Sequence, residues 1–385
     1  AQKIIVENAL ASYYNIDISA GGNDFYSYEA SHPFDVAGIG RETATDIHDT
    51  AYSAGILGIS DPDDLDADGE FLFFGHDNGS FDSWTSEGLA DTALLIQRIN
   101  RTWKVEKTGN PGRVIISLDT SLLASRPDGY GKFVLLVDDD GDFTDGVAVY
   151  EMTSPGNDSI YQTVGIDISS GSYISIGTVD PTLQFATSVQ SGFESTDANL
   201  NVYLNYLPQA DVTFDYFTSD GTAVDPDDYT AVDPAATASI SEGNNTTTIT
   251  VGIVNDIIVE ASKSFNITLE NPSGENRLGS NSVLDYTIHD DDNPRKIYFS
   301  NDTSSGNEGD GTVQIAVQIT PSEFDEVNTT TVDYMVTGGT ATGSGVDYIL
   351  ASGTISIPPY SISESITLEI IDDAASEMDE TIVIT

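Results

Sequence analysis

Residues 211–229 read DVTFDYFTSDGTAVDPDDY, and residues 330–348 read TTVDYMVTGGTATGSGVDY. Each stretch holds a strand of alternating apolar residues, a Gly-Thr-Ala turn and an Asp-Tyr pair. A second alternating strand follows in each copy, Ile249-Thr250-Val251-Gly252-Ile253-Val254 and Ile366-Thr367-Leu368-Glu369-Ile370-Ile371, and then an acidic stretch. A period of about 118 residues is the size of a whole domain and not of a solenoid unit. The second half of the chain is therefore expected to fold as two copies of one β-domain. The boundary is expected near Asp290-Asp291-Asp292-Asn293-Pro294.

The rest of the chain is also read as strands. Val114–Leu118, Phe133–Val137 and Val147–Tyr150 are apolar runs of strand length, separated by turn signals at Asp128-Gly129, Asp140-Gly141, Asp145-Gly146 and Pro155-Gly156-Asn157. This pattern predicts tandem antiparallel β-sandwiches, an all-β class. Residues 1–16 are the exception, because Val6, Leu10, Tyr13 and Tyr14 recur at helical spacing. The expected division is a helix at 1–16 (the tail of a preceding domain), a β-rich module at 17–179, and β-domains at 180–292 and 293–385.

Charge narrows the function. The 385 residues carry 63 acidic and 13 basic side chains, a net charge of -50. Such a chain is repelled by phosphate backbones and anionic membranes, which argues against nucleic-acid partners and favours cations. With 39% hydrophobic residues, 18 Tyr and 15 Phe, it has too much core material for a disordered acidic tail. The absence of cysteine excludes disulfides, thiolate metal sites and cysteine catalysis. No apolar run approaches the roughly 20 residues of a membrane span, and no signal-peptide pattern is seen. The chain starts at Ala1 and stops inside the alternation Ile382-Val383-Ile384-Thr385. It is expected to be a piece of a longer, processed protein whose second β-domain lacks its last strand.

The order strand, Gly-Thr-Ala, Asp-Tyr, strand, acidic loop, strand and terminal Asp triplet resembles the Calx-beta domain of sodium–calcium exchangers, integrin β4 and secreted bacterial adhesins. The resemblance implies immunoglobulin-like sandwiches of about seven strands with calcium bound at one end. It implies as ligands Glu194, Asp228, Asp256, Glu260, Asp290, Asp291 and Asp292 in the first copy. In the second copy it implies Glu308, Asp347, Asp372, Asp373, Glu377 and Glu380. The first copy departs from the family at Asn255, where an Asp is usual, and at Lys263, where a Glu is usual. Its Lys ammonium is expected to stand in for one cation charge. Segments Asp35–Arg41, Phe71–Gly79 and Arg98–Val105 resemble a module of large type IX-secreted surface proteins of gliding bacteria.

Two further loops have calcium-like spacing on their own residues. Asp138, Asp140 and Asp142 alternate around Gly141. Asp64, Asp66 and Asp68 precede Gly69 as in the first half of an EF-hand loop, but its twelfth position is Gly75 and not Glu. The same spacing also serves plain turn chemistry. Catalytic signals are thin. His32, His48, His76 and His289 form no zinc or protease motif, and carboxylate pairs are expected by chance in so acidic a chain. Trp84 and Trp103 are read as core residues before sugar platforms. The expected function is a non-catalytic, calcium-stiffened stalk in a secreted or cell-surface adhesin, with surface glycans or proteins as further partners. The alternatives are an accessory region of a secreted carbohydrate-active enzyme and a calcium-sensing regulatory pair.

Overall fold

The computed structural model describes residues 1–89, 95–156, 159–292, 296–320, 329–359, 361–374 and 376–385. Asn157 of the Pro155–Asn157 turn, and Asn293 and Pro294 of the expected boundary, lie outside the described residues. The described chain is nearly all β, with one α-helix, Gln2–Tyr14. Among the described residues no helix is long and apolar enough to cross a membrane. Two compact units divide it: Ala1–Asp256 with Ser262–His289, and Ile257–Ala261 with Asp290–Thr385.

The first unit opens with the helix, whose apolar stripe of Val6, Leu10, Tyr13 and Tyr14 is the exposed face. Val6, Leu10, Tyr13 and Tyr14 are 49–65% exposed, whereas Ile4, Ile5, Asn8, Ala11 and Ser12 are buried. Ile4 and Ile5 pack with Val36, Phe71 and Phe73. The small Ala11 and Ser12 leave less bulk on this face than Tyr13 and Tyr14 would. Asn8 fixes the contact. Its Oδ1 accepts the N–H groups of Phe25 (2.8 Å) and Tyr26 (3.1 Å), and its Nδ2 donates to Asn23 O (2.7 Å).

Residues 34–179 form an antiparallel sandwich. One sheet runs in the order Ala148–Met152, Lys132–Asp138, Tyr173–Val179, Trp103–Thr108, Glu70–His76, Phe34–Thr43, Asp46–His48. The other runs Ile160–Gln162, Ile115–Asp119, Leu57–Ser60, Thr50–Ser53. Phe74, Trp103, Leu135 and Ile176 of the first sheet meet Leu57, Ile59, Ile116 and Leu118 of the second. Trp103 is fully buried and donates Nε1–H to Ser53 Oγ at 3.0 Å. Trp84 donates to the carbonyls of Ala124 and Ser125 and packs near Phe133.

The next β-domain pairs Thr246–Val251, Ala198–Leu204, Thr182–Phe185 and Arg277–Leu278 in one sheet. The second sheet runs Val189–Phe193, Val283–His289, Lys263–Glu270, Val212–Asp220, Ala236–Ile240. Val189–Phe193 and Val283–His289 run parallel over five register pairs, Val189 with Asp285 through Phe193 with His289. Between the sheets, Tyr229 and Phe265 stack with ring centroids 4.1 Å apart.

This domain shares a core with the module before it. Strand Lys132–Asp138 sends Phe133 and Leu135 into the first sandwich. It sends Val134 and Leu136 to the opposite face, where they join Val179, Leu183, Phe185, Leu204 and Tyr206. The alternation of side chains in a strand makes this possible, and a sheet covered on both faces needs the unbroken apolar run found here. Polar contacts reinforce the join. Glu151 N–H bonds Leu207 O at 2.9 Å, and Glu151 Oε2 accepts the Gln209 N–H at 2.9 Å. Asp180-Pro181 thus sits inside one continuous core.

Two buried histidines in this unit give it an acid-sensitive component. His76 donates Nε2–H to Asp35 (3.0 Å) and accepts the Asn78 N–H at Nδ1 (2.9 Å), which assigns a neutral ring. His32 contacts Ser31 Oγ and Thr102 Oγ1, whose hydroxyl donates to Asp77. Burial pushes both imidazoles below their ordinary value. Asp35 and Asp77 pull up, while Arg101 and Lys104 push down. A lowered folded value means that the unfolded chain takes up the proton first. The stability contributed is complete above the unfolded value of about 6.5 and is lost as pH falls below it. Unfolding followed by tryptophan fluorescence should show a falling midpoint between pH 7 and pH 5. The His32→Gln/His76→Gln double variant should flatten the slope, and an equal slope in both proteins would refute the assignment.

The second unit is built on the sheet Lys296–Phe299, Thr312–Thr320, Ser363–Ile370, Tyr348–Ile349. Thr330–Tyr334 pairs with Gly353–Ile357, and Val336–Gly339 with Ile382–Ile384. Its buried apolar residues are Val317, Ile319, Tyr348, Ile357, Ile366 and Leu368.

Candidate metal centre

Three carboxylates meet at one end of the second unit. Oxygens of Asp347, Glu377 and Glu380 all lie within 4.8 Å of one another. Three separate devices place these groups and Glu308. Asp347 closes the turn after Val336–Gly339: its Oδ2 accepts the Thr342 N–H at 2.5 Å, and its carbonyl accepts the Ile371 N–H at 2.9 Å. Glu377 and Glu380 lie in the acidic loop between Ser363–Ile370 and Ile382–Ile384. Glu308 opens a short 3₁₀ turn whose Asn307 and Asp310 cap each other.

The electrostatics confirm that these groups feel one another. Crowding out of water, then the charges of Asp347, Asp373 and Glu308, push Glu377 above the usual carboxylate range. Crowding, then Asp347 by charge and hydrogen bond, then Glu377 and Glu308, do the same to Glu380. Five of the six residues expected in this copy thus share one field; Asp372 is exposed beside it. The donors are all oxygens, which suits a hard cation. Two ligands across a calcium ion at 2.3–2.6 Å each stand up to about 5 Å apart, the spread seen here. The residues therefore fit calcium.

The corresponding residues of the first copy are arranged differently. Asp228 is buried and engaged at both oxygens: Oδ2 accepts the Val224 N–H (2.8 Å), and Oδ1 pairs with Lys263 Nζ (2.7 Å). Glu194 follows Val189–Phe193, is buried, and donates its N–H to His289 O at 3.0 Å. Asp290, Asp291 and Asp292 continue from Val283–His289, the parallel neighbour of that strand. Asp290 Oδ1 is buried with no hydrogen-bond partner among the described residues, as an acceptor held for a cation would be. Asp256 ends the first stretch of the first unit, and Glu260 lies in the segment Ile257–Ala261 that groups with the second.

The two N-terminal loops use their carboxylates for turns and ion pairs. Asp138 accepts the N–H groups of Asp140 (3.1 Å) and Gly141 (2.5 Å), Asp140 that of Asp142, and Asp142 that of Thr144. Asp68 pairs with Arg41 and Asp64 accepts from Asn110, while Asp66 stays exposed. Among the described residues neither loop gathers three carboxylates as Asp347, Glu377 and Glu380 do. Reading the loops alone missed Arg41 and Asn110, which the fold brings from 27 and 46 residues away.

Comparison with known proteins agrees with this architecture. A family described as "Domain of unknown function (DUF8202)" matches residues 11–172. The chain is 28% identical over 187 residues to sodium/calcium exchanger 1 of Canis lupus familiaris, covering 44% of this chain and 19% of the exchanger. It is 28% identical over 190 residues to sodium/calcium exchanger 3 of Mus musculus, covering 44% and 20%. It therefore spans about a fifth of the length of these curated relatives. The solved structure of CBD12 from CALX1.2 is similar at 22% identity and a TM-score of 0.31, covering 52% of this chain and 79% of that one. The apo-form Calx CBD1 domain is similar at 22% identity and a TM-score of 0.27, covering 29% and 98%. The Calx-beta family model matches residues 180–292 and again 289–385, more than half of the chain, and the chain belongs to the Calx-beta family.

Proposed function

We propose that this chain is a non-catalytic calcium-binding scaffold, a segment of a secreted or cell-surface protein whose β-domains present other parts of that protein. The observation that carries the calcium reading is the convergence of Asp347, Glu377 and Glu380, where crowding out of water and then the neighbouring charges raise the two glutamates. A divalent ion there would neutralise the charges that oppose packing of the acidic loop on the sandwich end. Glu308 and Asp373 would complete the set of donors. The scaffold role is supported by the joined core of the N-terminal module and the first domain, which suits load-bearing more than catalysis. The similarity to sodium/calcium exchangers favours a second reading, a regulatory calcium-sensing pair.

Calorimetric titration of the chain with calcium tests the site. The Glu377→Gln variant should lose about tenfold in affinity at the second unit, since calcium affinity follows ligand charge. Unchanged affinity and stoichiometry in that variant would remove the second unit from the proposal.

A further inference from the structure

The outward face of the helix Gln2–Tyr14 holds Val6, Leu10, Tyr13 and Tyr14 in one exposed stripe. Apolar side chains gathered like this, unlike ones scattered singly, mark a contact site. The helix is also close to neutral. The charged side chains of residues 1–16 are Lys3 and Glu7, which pair at 3.6 Å, in a chain of net charge -50. The element therefore offers a second acidic molecule an approach with no excess of like charge along the helix itself.

The spacing of the stripe indicates which molecule that is. Positions 6 and 13 are seven apart, as are 7 and 14, with Leu10 midway. A seven-residue repeat keeps side chains on the face that one helix turns to another. This stripe is palindromic as well. Reversing the chain direction about Leu10 exchanges Val6 with Tyr14 and Glu7 with Tyr13, and returns Leu10 to itself. The same reversal exchanges Lys3 with Asp17, an exposed residue three positions beyond the last helical one. A two-fold contact demands this property, because each patch must match its own reverse.

We propose that two copies of the chain pair through antiparallel Gln2–Tyr14 helices, about a two-fold axis at Leu10. The small Val6 of one copy then faces the large Tyr14 of the other, and Glu7 faces the Tyr13 hydroxyl. At each end Lys3 faces Asp17. The Lys3 side chain is 78% exposed and can exchange Glu7 for the opposite aspartate. Asp17 holds Ser19 through Oδ1 and can offer Oδ2 to the opposite lysine. Thirteen helical residues make a small interface, so the dimer belongs with weak, transient contacts. Salt should favour it by screening the two net charges of -50 from each other. The contact uses no residue of the acidic loops, so it stands or falls apart from the calcium reading.

Sedimentation equilibrium of the full chain in chelator tests this. The parent should show a monomer–dimer equilibrium that moves toward dimer as salt is raised. Leu10→Glu, at an exposed position where circular dichroism should show the fold intact, puts two carboxylates on the axis. It should raise the dissociation constant roughly a hundredfold. Lys3→Asp and Asp17→Lys each turn two attractive pairs into repulsive ones, and each alone should weaken the dimer about tenfold. Mixed one to one, they recreate both attractive pairs in the heterodimer, and the mixture should associate as the parent does. A parent that stays monomeric at the highest attainable concentration overturns the proposal and leaves the stripe to a different molecule. A dimer that Leu10→Glu does not weaken lies elsewhere and overturns it too. A dimer whose two charge variants fail to recover on mixing is not paired about Leu10, and that result rejects the two-fold contact.

Discussion

Calcium at a hundred times its dissociation constant should raise the unfolding temperature of the second unit by on the order of 10 °C. Binding to the native state at that excess contributes about 2.7 kcal/mol per site. A domain of about 100 residues gains roughly 4–8 °C per kcal/mol. The clustered carboxylates make the effect large, because in chelator they repel across at most 4.8 Å. Glu377 and Glu380, raised above the usual range, hold protons more tightly folded than unfolded. Their repulsion is fully felt at neutral pH and relieved as pH falls through their raised values. Protons and calcium therefore compete, and the calcium increment should shrink in acid. Magnesium at equal ionic strength should do much less, since it dehydrates reluctantly and demands near-octahedral geometry. Differential scanning fluorimetry in chelator, calcium and magnesium reads this directly. Equal small rises with both ions would mean only screening of a net charge of -50.

Phe185→Ala should destabilise the N-terminal module as much as the domain in which it lies. Phe185 is fully buried on Thr182–Phe185, in the core that also holds Val134, Leu136 and Val179. Truncating a buried Phe costs about 3–5 kcal/mol. The chain has two tryptophans, Trp84 and Trp103, and both lie in the N-terminal module. Tryptophan fluorescence therefore reports that module alone. If the core is one cooperative body, the tryptophan transition of Phe185→Ala falls by on the order of 10 °C, in step with far-UV circular dichroism. A tryptophan midpoint that stays at the parent value would show two independently folding bodies.

Much of this architecture is visible in the residues alone. The Gly-Thr-Ala and Asp-Tyr spacing locates both copies because each element depends on local turn chemistry and strand alternation. Aligning the copies places Lys263 against the aspartate of the first, and the fold puts its ammonium there. What local pattern does not carry is the choice between two apolar faces. The helix Gln2–Tyr14 has apolar residues on both, and the sheet receives the face with Ile4, Ala11 and Ser12. Nor does the run Phe133–Val137 reveal that its alternate residues serve different cores, since burial on both faces erases the polar half of the pattern. The loops at Asp64–Asp68 and Asp138–Asp142 are ambiguous for another reason. Asp suits an ion and a turn equally, and only distant residues such as Arg41 decide how its oxygens are used.

The parallel pairing of Val189–Phe193 with Val283–His289 has a mechanical meaning. The chain enters this pair at Val189 and leaves it at His289, at opposite ends of two strands lying side by side. Tension applied through the preceding and following segments pulls the strands along their length, in opposite directions. The bridging hydrogen bonds are then loaded together in shear and must fail nearly at once. An antiparallel hairpin pulled from its open end would instead unzip one bond at a time. The pairing thus sets these two strands in shear along the direction in which the polypeptide itself would transmit force.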